Sequence, residues 1–281
     1  MNVSYDLHAH TYLSVCGEDQ ATIANYVKSA KRNNLKFIGI SDHMWDKDIP
    51  FVESMRRSLA SGGGDTVINW YKIQPIEHCR KILTDLENTD TEGIKFFFGG
   101  EVDYCPGVGA AITPEHAEQL DFMVVPNSHT HHIMDKALYE PYSKHGEFML
   151  KATMEICTAP TAKYVTSLAH PFDAVCCPYP VDYIIDTITD EQLIEVFSAA
   201  AENNIAAEIN ADCFPEGSDI KNNGLFRVLQ MAKKAGCRFT FGSDSHSANQ
   251  DHMSACGTVA DLLGLSPEDV LFYKTYPKTA K

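Results

Sequence analysis

Eight side chains of types that bind transition metals follow short apolar runs, spread along most of this 281-residue chain. Imidazole and carboxylate groups bind Zn²⁺, Mn²⁺ and iron readily. The set is larger than one tetrahedral ion needs, so it indicates two to three divalent metal ions (Zn, Mn or Fe). A metal-dependent hydrolase is the function that the pattern favours. The eight residues are His8, His10, His43, Glu101, His129, His170, Asp244 and His246.

Two pairs within this set share a spacing of two residues, His8 with His10 and Asp244 with His246. In an extended segment, residues two apart point to the same face, so both side chains of each pair can face one site. Paired ions about 3.5–4 Å apart can stabilise the attacking and leaving oxygens of a phosphoryl displacement, with a bridging water as the nucleophile. Glu101 is predicted to bridge two ions, because its two oxygens can serve one each. Glu101 and Asp244 are therefore predicted to be catalytic as well as metal-binding.

Seven strand-like runs alternate with helix-like runs, a pattern that predicts a parallel sheet. No Gly-rich phosphate loop follows the first strand, which favours a barrel of seven βα units over a dinucleotide-binding fold. Active sites of (β/α) barrels lie at the C-terminal ends of the strands. The metal-binding residues fall at these ends for six of the seven candidate strands, which are Val3–Leu7, Lys36–Ser41, Ile94–Gly99, Asp121–Pro126, Tyr164–Ala169, Ile205–Asn210 and Arg238–Gly242.

Composition narrows the range of partners. The net charge of −15 and the lack of a basic stripe argue against nucleic-acid binding. An anionic substrate would need local positive charge, which a cluster of divalent ions supplies. No apolar run approaches the length of a membrane span. Nine cysteines without a signal peptide predict a reducing, cytoplasmic location. We expect one domain over residues 1–281, and the sequence leaves self-association into a homo-oligomer open.

At the same residues the chain resembles the PHP (polymerase and histidinol phosphatase) family of metal-dependent phosphoesterases. The resemblance implies a distorted, TIM-like (β/α)7 barrel and a small phosphorylated substrate. It also implies three ions, held by the eight residues above and one further ligand from the first loop. The matching motifs follow the family's order: HAHT at 8–11, SDH at 41–43, GGEVDY at 99–104, SHTH at 128–131, AHPF at 169–172 and GSDSH at 242–246.

Within the family, the chain length and the EVDY sequence resemble the histidinol-phosphatase branch. That resemblance implies L-histidinol phosphate as the substrate, and thus a role in histidine biosynthesis. The fourth motif departs from the branch, whose pattern is Gly-Ser-Val-His-Phe, whereas this chain has Pro-Asn-Ser-His-Thr at 126–130. His129 is kept, but the difference leaves a nucleotide or sugar phosphate as an alternative substrate.

The ninth ligand is expected in the first loop, where the family often has a His or Asp. Here Cys16 occupies that position, with Glu18 and Asp19 just beyond it. Counting back from the helix that contains Tyr26 favours Glu18 as the ligand, with Cys16 second and Asp19 third. A Cys16 thiolate would favour Zn²⁺ or iron.

Four residues are predicted to contact substrate. His131 and His132 extend the fourth motif, and one of them, with His131 preferred, is a candidate general acid or phosphate contact. Their alternative is a solvated pair in a loop. Arg56 and Arg57 lie in the long connection between the second and third strands, and a guanidinium group matches a phosphate bidentately. Surface solvation is the alternative for both arginines.

The remaining polar residues fit structural roles better. Glu208, Asn210 and Asp212 share one face at the end of the sixth strand, where capping or solvation is the favoured interpretation over substrate contact. His78, His116, His145 and His252 lie in helices or polar connections and are interpreted as surface or capping histidines.

Two other functions are considered for the whole chain. An amidohydrolase-type C–N hydrolase also begins with the HxH pattern, but it usually needs a lysine at the end of a middle strand, which is not found here. A non-catalytic metal-binding protein would have lost ligands, and the ligand set here is nearly complete.

Overall fold

Seven parallel strands form the framework of the protein. The structure, a computed structural model, describes residues 1–44, 76–134, 140–175 and 177–272, with the backbone alone at His132. Every predicted strand is confirmed, with bounds shifted by three residues or fewer. The strands are Tyr5–Ala9 (β1), Phe37–Ile40 (β2), Lys95–Glu101 (β3), Phe122–Pro126 (β6), Ser167–Ala169 (β7), Ala206–Asn210 (β8) and Phe239–Gly242 (β9). Two short strands that the sequence analysis did not predict, Tyr104–Cys105 (β4) and Gly109–Ala110 (β5), form an antiparallel hairpin after β3.

The sheet has the order β1–β2–β3–β6–β7–β8–β9, and its two outer strands meet. The backbone N–H of Asp244 donates to the carbonyl oxygen of His8 at 2.8 Å, and that of His10 donates to the carbonyl oxygen of Ser245 at 2.9 Å. These bonds join β1 to the chain that leaves β9, so the sheet curls into a nearly closed barrel. The predicted distorted (β/α)7 barrel is confirmed.

Helices connect the strands and cover the sheet with their apolar faces. In the first helix, Ile23, Tyr26, Val27 and Ala30 are buried, as their helical spacing predicts. Thr189 begins a later helix with the predicted capping box, in which Gln192 bonds back to the Thr189 backbone. The helices are Ile23–Arg32 (α1), Lys81–Asn88 (α2), Pro114–Ala117 (α3), Thr130–Ile133 (α4), Tyr142–Thr158 (α5), Val181–Ile185 (α6), Asp190–Glu202 (α7), Gly224–Lys234 (α8) and Ser254–Leu263 (α9).

The strands are buried most completely toward their C-terminal ends. Strand β3 passes from an exposed Lys95 to a Glu101 that is only 1% exposed. Five of the seven barrel strands, among them β6 and β8, are buried along their whole length. Polar side chains at these ends must therefore find partners in one another, in the backbone or in a bound ion. Across the described ranges, no helix has both the length and the apolar character needed to cross a bilayer.

Candidate metal centre

Glu101, the last residue of β3, occupies the middle of a ring of histidines. Its Oε2 atom lies 3.1 Å from Nδ1 of His43 and 3.4 Å from the Nε2 atoms of both His8 and His10. Its other oxygen, Oε1, faces two further histidines. A single buried carboxylate thus presents each of its oxygens to a different group of imidazoles.

The two histidines near Oε1 are His129 and His170, which follow β6 and β7. The Nε2 atom of His170 lies 3.2 Å from Glu101 Oε1, and that of His129 lies 3.5 Å from the same oxygen. The two oxygens of Glu101 therefore have different histidine partners, an arrangement that would suit a carboxylate shared by two ions, the role predicted for Glu101.

Asp244 approaches the same point from the end of β9. Its Oδ1 atom lies 3.1 Å from Nε2 of His10 and 3.4 Å from Nε2 of His8, and its Oδ2 atom lies 3.8 Å from Nε2 of His170. Asp244 and His170 both have positive φ, at 56° and 27°. Such backbone is unfavourable for residues with a Cβ, and it concentrates at functional sites.

The spacing of these donor atoms suits metal ions. A tetrahedral ion with bonds of about 2.1 Å holds its donor atoms about 3.4 Å apart, close to most of the separations above. The buried Nδ1 atom of His43 faces Glu101 Oε2 at 3.1 Å without making a hydrogen bond, which is costly unless a cation lies beside the two atoms. The residues therefore fit divalent ions. Four overlapping groups could each hold one ion: His8–His10–Glu101, His8–His170–Asp244, His43–Glu101–His129 and His10–Cys16–His43–His246.

The two carboxylates of the site are kept ionised. Burial alone would raise the pKa of Glu101, but electrostatic interactions with the neighbouring imidazoles of His43, His129 and His8 outweigh burial and hold that pKa well below its usual range. Asp244 is similar: burial opposes ionisation, yet nearby histidines, led by His8, hold its pKa well below normal. Two anionic donors therefore face one small volume.

The histidines divide into two classes around these charges. Burial lowers the pKa of His10 to about 4 and holds that of His43 well below normal, so both rings are neutral donors. His8 and His170 are also buried, but their carboxylate neighbours overcome burial, placing the pKa of His8 well above normal and raising that of His170 to about 9. The raised values mark a negative potential, and such a potential attracts metal cations.

Glu208 in β8 holds His8 from behind. Its Oε1 atom accepts a hydrogen bond from His8 Nδ1 at 2.9 Å, which leaves Nε2 facing Glu101. Its Oε2 atom accepts the backbone N–H of His170 at 2.7 Å. Carboxylates that bond the far nitrogen of a ligand histidine fix its tautomer and orientation. The sequence interpretation of Glu208 as a capping or solvated residue was wrong, because the side chain is 1% exposed.

Two other histidines have similar supports that the sequence analysis missed. Asp103 Oδ1 lies 3.1 Å from Nδ1 of His129, and Ser128 Oγ lies 2.7 Å from Nδ1 of His170. Both supports lie within motifs that the sequence analysis had matched, GGEVDY and SHTH. In the sequence, the one signal for these supporting roles was that Asp103 and Ser128 lie within two residues of a predicted ligand.

The first loop differs from the prediction. Glu18 is exposed and its carboxylate bonds the side chain of Gln20, so it does not join any of the four groups. Asp19 is also exposed and outside them. The first-loop residue that the structure brings to the histidines is Cys16, with its sulfur within 4.8 Å of the donor atoms of His10, His43 and His246.

The predicted substrate contacts are placed only in part. His131 is half-buried, with its ring edge-on to that of His129 and the centroids 5.6 Å apart. The side chain of His132, together with Arg56 and Arg57, lies outside the described residues. The four described arginines bond groups elsewhere: Arg32 to Asp251, Arg80 to Gln119, Arg227 to Asp190 and Arg238 to Asn204.

Comparisons with known proteins agree with the motifs. No protein-family model matches the chain. It is 22% identical over 276 residues to the probable phosphatase YcdX of Escherichia coli (strain K12), covering 95% of this chain and 88% of that protein. It is 23% identical over 283 residues to a probable phosphatase of Shewanella pealeana, covering 97% and 93%.

Two solved structures share the fold. Histidinol phosphate phosphatase HisK of Lactococcus lactis, solved with zinc, L-histidinol and phosphate, superposes with a TM-score of 0.59 at 17% identity, covering 94% of each chain. A putative histidinol phosphatase HisK of Listeria monocytogenes superposes with a TM-score of 0.52 at 14% identity, covering 88% of this chain and 97% of that one.

The barrel and the converging side chains fit a metal-dependent hydrolase. In its motifs the chain resembles the PHP family of metal-dependent phosphoesterases, and it is similar to proteins named as probable phosphatases and histidinol phosphatases.

Proposed function

We propose that the chain is a metal-dependent phosphatase that hydrolyses a phosphomonoester, with L-histidinol phosphate as the substrate. The observation that carries the proposal is the division of the two Glu101 oxygens between separate groups of histidines. When bound, divalent ions at these groups would supply a nucleophile from water and neutralise charge that develops on the phosphoryl oxygens.

The chain's own residues have distinct roles in this proposal. Glu101 and Asp244 supply negative charge, and the neutral rings of His10 and His43 supply lone pairs. Glu208 and Asp103 keep their histidines turned inward. As the P–O bond breaks, a proton must reach the leaving oxygen. His131, beside His129, is the proposed donor of that proton.

Charge supports the choice of substrate. The chain carries a net charge of −15, and the described arginines are all bonded away from the centre. Such a protein favours a substrate with few negative charges besides the phosphate. L-histidinol phosphate has an ammonium group and an imidazole beside its one phosphate, whereas nucleotides and sugar phosphates lack that cationic part. The histidinol phosphatases that share the fold support the same choice.

Phosphate release by metal-replete protein tests the proposal. The panel contains L-histidinol phosphate, nucleoside monophosphates and sugar phosphates, with chelated protein as the control. We expect release that the chelator abolishes and that is fastest for L-histidinol phosphate. Faster release from a nucleotide or a sugar phosphate would overturn the substrate but keep the phosphatase. No release from any ester, by protein shown to contain metal, would overturn the phosphatase itself.

Matched variants tie the activity to the site. His8→Ala and Asp244→Ala should each abolish release while circular dichroism shows an intact fold. His116→Ala is the control, since His116 lies in α3 and its ring is 4.0 Å from Glu77, outside all four groups. Wild-type turnover in His8→Ala or Asp244→Ala would show that the reaction occurs elsewhere.

A further inference from the structure

Three imidazoles and one thiol form the fourth group of the centre. The donor atoms of His10, Cys16, His43 and His246 all lie within 4.8 Å of one another. The rings of His10 and His246 are stacked, with centroids 4.3 Å apart and planes 14° apart. The other three groups each contain a carboxylate, so this is the one group among the described residues that would bind an ion through nitrogen and sulfur alone.

The first loop is folded so that Cys16, although exposed, holds its sulfur beside the three histidines. A Cβ at Gly17 would lie 1.8 Å from the Thr11 carbonyl oxygen, so only glycine permits this close return of the chain. The N–H of Gly17 donates to the Ser14 carbonyl oxygen at 3.0 Å. The next N–H, that of Glu18, donates to the His246 carbonyl oxygen at 2.8 Å. These contacts fix the backbone on both sides of Cys16.

One hydroxyl group contacts three of the four residues. Ser14 is fully buried, and its Oγ atom accepts the backbone N–H of His43 at 3.2 Å. The same oxygen lies 3.2 Å from Nδ1 of His10 and 3.6 Å from Sγ of Cys16. A buried hydroxyl group that contacts several metal ligands, as Ser14 does here, orients those ligands.

The contacts of His43 also point to a cation in the centre. His43 is 8% exposed, and its Nδ1 atom lies 3.1 Å from Glu101 Oε2 without making a hydrogen bond. A buried ring nitrogen that faces a carboxylate oxygen with no hydrogen bond between them is destabilising, and a metal ion bound by His43 relieves that cost.

We propose that Cys16 is a thiolate ligand, and that it forms an N₃S site with His10, His43 and His246 that selects Zn²⁺ over Mn²⁺ or Mg²⁺. Thiolate is a soft ligand that zinc accepts, whereas manganese and magnesium prefer oxygen donors. Four donors of this kind suit the tetrahedral geometry of zinc. On binding, the Cys16 thiol releases its proton to solvent as the sulfur–zinc bond forms. The inference rests on the metal centre of the proposed function, but it does not depend on the substrate.

Cobalt substitution tests the site without any activity measurement. Co²⁺ bound to a thiolate shows a sulfur-to-cobalt charge-transfer band in the near ultraviolet, whereas nitrogen and oxygen ligands alone do not. We expect the band when Co²⁺ is added to metal-free wild type and its loss in Cys16→Ser. Cys177→Ser and Glu18→Gln are the matched controls and should keep the band. A missing band in wild type, or one that persists in Cys16→Ser, would overturn the proposal.

Affinity measurements give the selectivity. Cys16→Ser should weaken Zn²⁺ binding by at least about tenfold, with a much smaller effect on Mn²⁺. Equal losses for the two ions would contradict selection by sulfur.

If the serine variant fails to fold, a labelling experiment on the wild-type protein alone tests whether Cys16 binds zinc. Zn²⁺ should protect Cys16 from iodoacetamide, as measured by mass spectrometry of the labelled peptide, and equal labelling with and without zinc would refute ligation. A chain that shows the cobalt band but hydrolyses no phosphoester would sink the proposed function and leave this site standing.

Discussion

The carboxylate of Glu208 lies 2.9 Å from Nδ1 of His8, although 200 residues separate the two along the chain. The contact joins β8 to β1 beneath the candidate metal centre. Because Glu208 also accepts the backbone N–H of His170, one side chain orients one ligand ring and holds the backbone of another ligand.

Replacing Glu208 should weaken metal binding more than folding. Glu208→Gln keeps one acceptor oxygen, so we expect about a tenfold loss of Zn²⁺ affinity, and about a hundredfold loss for Glu208→Ala. Competition with a chromogenic chelator measures both. Glu202→Gln, at the exposed end of α7, is the charge-matched control and should bind zinc normally. Unchanged affinity in Glu208→Ala would mean that His8 does not need this support.

Gly242 makes room for that support. A Cβ at this position would lie 2.2 Å from Glu208 Oε1 and 2.5 Å from His8 Cβ. Gly242→Ala should therefore lower the free energy of unfolding by about 1–3 kcal/mol and also lower Zn²⁺ affinity. Gly236→Ala is the control: Gly236 has a φ of 88°, and a Cβ there would meet no atom within 4 Å. It should cost about 1 kcal/mol in urea unfolding and leave metal affinity intact. Equal metal affinities in the two variants would refute the steric argument.

Removing the charge of Glu101 should remove metal ions. Glu101→Gln preserves the size of the side chain but leaves one oxygen and an amide where two anionic oxygens face histidines. Metal content by mass spectrometry should fall below that of wild type, and phosphate release should fall by at least about a hundredfold. Glu155→Gln, which removes a carboxylate from α5 that bonds Tyr104, serves as the control. A full complement of ions in Glu101→Gln would rule out the bridging role.

His145 should make the fold sensitive to acid. Its ring is fully buried in α5, with Nε2 2.7 Å from Thr130 Oγ1, and burial lowers its pKa to about 4. The unfolded chain takes up this proton near pH 6.5, whereas the folded chain resists it until about pH 4. The stability that the neutral ring contributes is therefore present above pH 6.5 and lost as the pH falls toward 4, by up to about 3 kcal/mol.

Urea unfolding of wild type and His145→Gln at pH 7, 5.5 and 4.5 isolates this effect. The other histidines titrate in both proteins, so their contributions cancel in the difference. We expect the stability advantage of wild type over His145→Gln to shrink steadily toward pH 4.5. A difference that stays constant with pH would show that His145 does not govern the acid response.

Local pattern predicted most of the framework. The seven strands and the apolar stripe of α1 follow from periodicity, because the position of a side chain on a strand or helix depends on its near neighbours. The rule that parallel strands gather their C-terminal ends on one face then placed His8, Glu101 and Asp244 together. The β4–β5 hairpin went unpredicted, since two strands of two residues carry no measurable period.

Burial of individual polar residues was harder to predict. His78 and His145 were interpreted as surface or capping histidines, yet they are 4% and 0% exposed. His78 Nε2 bonds the His43 carbonyl oxygen at 2.9 Å, a contact between the segment that precedes α2 and the segment that follows β2. A polar residue in a helix has the same local sequence whether its face is solvated or covered, so only packing distinguishes the two.

By itself, the sequence determined the order of the elements, the types of the ligands and the edge of the sheet at which they meet. The tertiary structure decided which of Cys16 and Glu18 faces the histidines, and which carboxylate holds His8. Both outcomes depend on contacts between segments far apart in the chain, such as the bond from the Glu18 N–H to the His246 carbonyl oxygen. No local pattern encodes such contacts, because they exist only after the barrel has closed and brought its first and last loops together.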